Sequence, residues 1–119
     1  MIATFRLLQI EEKFGQFVER IVPIEFDEGT LRIILYFYDG SNLRVTEQWE
    51  GEIVIRYSYY WLNSDNTLKV GWDNAPHHKN IEGFPHHKHI EKQKNIESSP
   101  EKTLEDVMAF IVKNLRKLQ

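Results

Sequence analysis

The feature that most limits what this chain can become is a succession of short strand-forming segments between Leu31 and Asp73, separated by turn signals too brief for anything but an antiparallel return. Leu31 to Tyr38 carries Ile, Leu, Phe and Tyr on both faces, which predicts a central strand covered on both sides. Asp39-Gly40-Ser41-Asn42 marks a hairpin. The return strand, Leu43 to Trp49, alternates Leu43, Val45 and Trp49 with Arg44, Thr46 and Gln48. Gly51 breaks the run. Ile53 to Leu62 then places Ile53, Ile55, Tyr57, Tyr59 and Trp61 on one face and Val54, Arg56, Ser58 and Tyr60 on the other. After Asn63-Ser64-Asp65-Asn66, Thr67 to Asp73 turns Leu68, Val70 and Trp72 inward and Lys69, Gly71 and Asp73 outward.

The flanks complete the expected architecture. Phe17 to Phe26 reads as a strand through Val18, Val22, Ile24 and Phe26, with Pro23 demoting it to an edge or marking a bulge, and Asp27-Glu28-Gly29 turns the chain. Met1 to Phe14 suits either a helix (Phe5, Leu8, Glu12) or a strand (Leu7, Leu8, Ile10); a short helix ending at Gly15 is favoured. Residues 92–102 form a polar linker. A C-terminal helix over 103–117 starts at Thr103, paired with Asp106 as a capping box, and stripes Leu104, Val107, Met108, Ile111, Val112 and Leu115 along one side. Glu105, Lys113 and Arg116 are left for solvent. The expected fold is α+β, a four- to five-stranded antiparallel meander with the C-terminal amphipathic helix packed on it and a short N-terminal helix, all in one domain spanning 1–119.

The absence of cysteine excludes disulfides, thiolate metal sites and thiol catalysis. No signal-peptide pattern opens the chain, and no apolar run approaches the roughly 20 residues of a membrane helix, so a cytoplasmic protein with no membrane partner is expected. A formal charge of -3 argues against a generally basic nucleic-acid binder. Between Leu68 and Asn95, however, Lys69, Lys79, Lys88, Lys92 and Lys94 outnumber Asp73, Glu82 and Glu91, so a local positive field is expected there.

All five histidines lie in the stretch 73–91. That stretch repeats itself at an offset of nine: Pro76-His77-His78-Lys79-Asn80-Ile81-Glu82 against Pro85-His86-His87-Lys88-His89-Ile90-Glu91. Its two prolines predict irregular loop or edge strand. If 87–90 is extended, His87 and His89 share a face and Lys88 points away.

Two chemistries fit such a cluster. Metal-independent RNA cleavage needs a base, an acid and a cation to hold charge on the phosphate. His87 and His89, with Lys88 or Arg56 as the cation, His86 alongside and Asp73 orienting an imidazole, meet that need. Arg56, Tyr59, Asn74, His77, His78 and Lys79 are then the expected substrate-binding residues. Tyr57, Tyr59, Trp61, Trp72 and Phe84 could stack bases, although period-two aromatic spacing is first a packing signal. The alternative to a cofactor-free site is zinc or another divalent ion held by His87, His89, His78 and Asp73, with His77 able to replace His78; the spacing matches no established zinc signature. Against both stands a solvated loop in which Asp73-Asn74 caps a turn.

Taken together, Tyr57-Ser58-Tyr59-Tyr60-Trp61, Trp72-Asp73-Asn74-Ala75-Pro76-His77-His78, Phe84-Pro85-His86-His87-Lys88-His89 and Thr103-Leu104-Glu105-Asp106-Val107 resemble the TumE-like toxins, small prokaryotic proteins encoded beside a helix-turn-helix antitoxin. The resemblance covers the chain from about Asp27 and does not extend to the segment before it. It implies that Asp73, Asn74, His87, Lys88 and His89 match the family's core motif, with His77, His78 and His86 in its fuller form. Tyr60 departs from it, standing where relatives often carry histidine. The resemblance implies the toxin of a type II toxin–antitoxin pair. Ribonuclease activity is inferred from the residue chemistry, not from the family. The rival readings are a toxin that inhibits a nucleic-acid enzyme or the ribosome by binding, and a metal- or nucleic-acid-binding module; RNA and the antitoxin are the expected partners, and a homodimer is left open.

Overall fold

The computed structural model describes residues 3–115. Helix α1 (Ala3–Phe14) passes through a 3₁₀ turn (Gly15–Phe17) into β1 (Val18–Phe26), followed by β2 (Thr30–Phe37), β3 (Asn42–Glu50), β4 (Ile53–Leu62), β5 (Leu68–Asp73), β6 (His87–Ile90), β7 (Ile96–Ser98) and α2 (Leu104–Asn114). The described strands form one sheet in the order β1 to β7, each antiparallel to its neighbours. The fold is α+β, as expected, with seven strands rather than four or five. The additional pair comes from the proline-punctuated stretch and the expected linker, where ladder hydrogen bonding of β6 to β5, and of β7 to β6, recruits segments that have little apolar periodicity of their own.

Both helices cover the same face. Ile10 of α1 and Leu104, Val107, Met108 and Ile111 of α2 share a core with Leu31, Ile33, Leu35 and Phe37 of β2, Leu43 and Val45 of β3, Tyr57, Tyr59 and Trp61 of β4, and Val70 and Trp72 of β5. The expectation that β2 is covered on both sides is therefore corrected. Its burial alternates, and Arg32, Ile34 and Tyr36 look out from the other face. Ile53 and Ile55 are exposed although they start the apolar face of β4, because β5 pairs only with Ser58–Leu62 and leaves the first half of the strand without that neighbour. Pro23 sits beside a register shift in the edge strand β1, fulfilling both parts of its expectation.

Local signals hold at the ends. The Thr103 side chain accepts from the Asp106 N–H (3.1 Å) to start α2, and Asp106 Oδ2 accepts from the Lys102 N–H. The helix ends at Asn114, with Leu115 in extended conformation, which corrects the expected end at 117; the solvent position of Arg116 lies outside the described residues. Glu47, absent from any apolar pattern, is fully buried in β3. Arg6 of α1 meets it with two hydrogen bonds (2.8 and 2.9 Å), and the Tyr59 hydroxyl donates to it as well (2.6 Å). Among the described residues no helix is long and apolar enough to cross a membrane.

Candidate active site on the open face of the sheet

Antiparallel register puts paired residues on one face, so the open face can be read across the strands. One row runs Arg32, Thr46, Ser58, Asp73, His87 and Ser98; the next runs Ile34, Arg44, Tyr60, Gly71 and His89. Asp73 closes β5 and His87 opens β6, and their pairing brings carboxylate and imidazole together although 14 residues separate them. Asp73, His87 and His89 are only 7%, 2% and 6% exposed, at the wall of an outer-face cavity of about 510 Å³. Thr46, Gln48, Arg56, Tyr57, Ser58, Tyr60, Ala75, His77, His78 and Gln93 complete its lining.

Every ring nitrogen of His87 and His89 has a partner. His87 Nδ1 lies 2.9 Å from the Pro85 carbonyl and Nε2 lies 2.9 Å from Asp73 Oδ1. His89 Nδ1 lies 2.7 Å from the Gln93 carbonyl and Nε2 lies 3.2 Å from Asp73 Oδ2. The turn that delivers the Gln93 carbonyl is closed by Ile90 N–H to Asn95 O and by Asn95 Nδ2 to Ile90 O, with Glu91 in the left-handed region at φ 63°. Asp73 Oδ1 also accepts from the Ala75 N–H (2.9 Å), and the Tyr60 hydroxyl reaches Oδ2 at 3.4 Å. A general acid or base needs one nitrogen turned toward substrate. These two imidazoles turn one toward a backbone carbonyl and the other toward Asp73. As arranged here neither ring presents an unpartnered nitrogen to the cavity, while Asp73 lies against both imidazoles in the orienting position expected of it.

His78 stands against both rings, its centroid 5.0 Å from His87 and 6.3 Å from His89. His77 lines the same cavity and is exposed. The other predicted residues part company. Lys88 points through to the helix face, where its ammonium meets Glu101 (3.4 Å) and lies over Phe110, so it supplies no cation to this cavity. His86 shares that side, with Nδ1 2.8 Å from the Tyr57 hydroxyl. Burial, followed by the positive charge of Lys102, holds His86 below the ordinary imidazole value. Tyr57 is pushed up by burial and by the carboxylates of Asp73, Asp106 and Glu101. Tyr59 is 1% exposed under the sheet and cannot touch substrate, which corrects its expected role. Asn74 is committed to the backbone: its Oδ1 accepts from Tyr57 N–H (2.9 Å) and its Nδ2 donates to Ile55 O (3.1 Å), extending the ladder along β4 where β5 has ended. Lys79 is exposed and outside the cavity lining.

Trp61 and Trp72 are core residues facing Phe110, which leaves Tyr60 as the half-buried ring that borders the cavity. Burial raises its hydroxyl above the ordinary phenol value, a hydrogen bond with Gln93 opposing.

Sequence reasoning singled out Arg56 but missed the series of arginines to which it belongs. Arg20, Arg32, Arg44 and Arg56 recur every twelve residues, one on each of β1 to β4, all exposed and all on the open face by register. Arg20 lies 4.3 Å over the Tyr36 ring and Arg32 is 3.9 Å from Glu25. A second cavity, lined by Ile24, Arg32, Ile34 and Arg44, shares Thr46, Ser58 and Tyr60 with the first, so the two are neighbours on the open face. The interval of twelve was the available signal.

Comparison with known proteins agrees with the motif. No curated protein and no solved structure matches the chain. The family described as Toxin TumE matches residues 7–116, a span that begins in α1, well before Asp27, and includes every strand together with Asp73, His87 and His89. With the match running through both the scaffold and the site it carries, the chain belongs to the TumE toxin family.

Proposed function

We propose that this toxin acts by cleaving RNA in the open-face cavity, in the cytoplasm, and that its partner is a helix-turn-helix antitoxin. The toxin role and the existence of an antitoxin partner follow from the family. The single observation that supports RNA as the target is that two neighbouring cavities on one face, sharing Thr46, Ser58 and Tyr60, bring the Asp73–His87–His89 wall and Arg56 beside Arg32 and Arg44. Guanidinium groups pair with phosphate oxygens, and a row of them on a sheet suits a polyanion crossing it. Tyr60 offers a ring edge or face to a base.

In this reading Arg56, rather than Lys88, holds the charge that builds on the phosphate. Cleavage moves the 2′ oxygen onto phosphorus as the bond to the 5′ oxygen breaks. One proton leaves the nucleophile and one reaches the departing oxygen. His78 and His77, which border the cavity and whose ring nitrogens make no hydrogen bond among the described residues, are the groups able to exchange those protons.

The test is purified protein with end-labelled single-stranded RNA. Arg56→Ala and His78→Ala should each slow cleavage by about 10²-fold or more while retaining the wild-type circular dichroism spectrum. If the wild type stops growth when expressed without its antitoxin but leaves RNA intact, the toxin inhibits by binding and the nuclease reading is wrong.

A further inference from the structure

We propose that Asp73, His87 and His89 form a binding site for one divalent transition-metal ion, such as zinc or manganese. The argument is one of donors and acceptors. A carbonyl oxygen only accepts, so the Pro85 and Gln93 carbonyls require a proton on His87 Nδ1 and His89 Nδ1. In a neutral imidazole that leaves the lone pair on Nε2. Both Nε2 atoms nevertheless face oxygens of the same carboxylate, at 2.9 and 3.2 Å. Acceptors pointed at acceptors repel, and something positive must stand between them.

One cation placed among the three ligand atoms, which lie within 4.8 Å of one another on two almost fully buried imidazoles and one carboxylate, supplies it. An ion bound at roughly 2.0–2.2 Å holds neighbouring ligand atoms roughly 3–3.5 Å apart; the two nitrogen-to-carboxylate separations, 2.9 and 3.2 Å, are of that order, and all three ligand atoms lie within 4.8 Å of one another. The Nδ1–H to carbonyl bonds are the outer-shell pattern that fixes the tautomer of metal-ligating histidines. An all nitrogen and oxygen set of two imidazoles and a carboxylate suits zinc, iron or manganese and leaves coordination positions open.

Those positions face the cavity that also holds Arg56 and His78. His78, expected as a fourth ligand, stands against both rings but is not one of the three residues whose ligand atoms converge. An ion here would act as a Lewis acid toward a phosphate oxygen or a water molecule. This inference rests on the nuclease reading for what the ion does, and not for whether it binds.

The experiment is calorimetric titration of chelator-treated full-length protein with zinc chloride and with manganese chloride, alongside cobalt titration followed by visible absorption. One equivalent should bind per chain, and the melting temperature should rise with ion concentration. Asp73→Asn and His89→Gln should weaken binding by more than about 100-fold, the upper range for losing only an outer-shell partner. The cobalt spectrum should show ligand-field bands from the wild type, a readout that does not depend on the variants folding. His77→Ala should bind as the wild type does. Absence of saturable binding, or binding that is lost with His77 and retained in Asp73→Asn, would overturn the site. Stoichiometric binding without RNA cleavage would sink the nuclease reading alone, and cleavage in EDTA by protein that takes up no ion would sink this one alone.

Discussion

At the scale of single residues, the least expected feature is a charge in the core. Glu47 is fully buried and accepts from Arg6 and Tyr59, while Arg6 also meets Glu105 of α2 at 3.2 Å. Burial by itself opposes charge on Arg6, but the hydrogen bonds and negative charge of Glu47, with Glu105 behind it, outweigh that and raise its guanidinium above the ordinary value. Tyr59 is raised as well, by burial and then by the neighbouring Glu47. The group ties α1, β3, β4 and α2 together through one carboxylate. Replacing Glu47 with Ala strands a buried guanidinium and a buried hydroxyl, and should cost about 3–5 kcal/mol of unfolding free energy. Urea denaturation checks this; a midpoint equal to that of the wild type would show that the charge contributes nothing. Strand parity places Glu47 on the side of Leu43, Val45 and Trp49, but no local pattern announces its partner Arg6, which lies 41 residues away.

At the scale of elements, the site depends on strands lying close together. Gly71 of β5 stands between Tyr60 of β4 and His89 of β6 on the open face. A Cβ added there would come within 2.8 Å of the Tyr60 ring and 3.4 Å of Leu68. The missing side chain is the space in which Tyr60 lies edge-on to His89 and reaches Asp73. Gly71→Ala should push that ring out of the cavity, costing about 1–3 kcal/mol in stability as overpacking does, and should slow RNA cleavage well beyond what the reduced stability explains. Paired measurements of unfolding and cleavage rate decide it, since an unchanged rate would mean that the position of Tyr60 is irrelevant to the site. The strands β2 to β5 were legible in the sequence because period-two alternation and turn residues are local. The strands β6 and β7 were not, since β6 pairs with a strand 14 residues upstream and β7 has three residues with no apolar stripe.

At the scale of the whole molecule, one sheet divides two environments. The helices and the core occupy one face, and the other presents Arg20, Arg32, Arg44 and Arg56 around the paired cavities. The edges are poorly suited to pairing with another sheet: β1 carries Pro23 and two register shifts, and β7 is short. In the proposed nuclease reading, the open face is where a polyanion would cross. Arg32→Ala combined with Arg44→Ala should weaken RNA binding and reduce the slope of log affinity against log salt by about 1.4, or about 0.7 for each phosphate deprived of its guanidinium. Stability should stay within about 0.5 kcal/mol, because both side chains are exposed. An unchanged slope, measured by fluorescence anisotropy across a salt series, would place RNA elsewhere.

The amino-acid order by itself determined the class of fold, the antiparallel meander, the capped C-terminal helix and the grouping of Asp73, His87 and His89, since each is written in local spacing or in a short motif. Only the tertiary structure decided which face those residues share, that Lys88 and His86 lie across the sheet from them, and that both nitrogens of each central imidazole are engaged. The physical reason is that sidedness in a sheet follows from register between distant strands, and the state of an imidazole follows from what each of its two nitrogens meets in space.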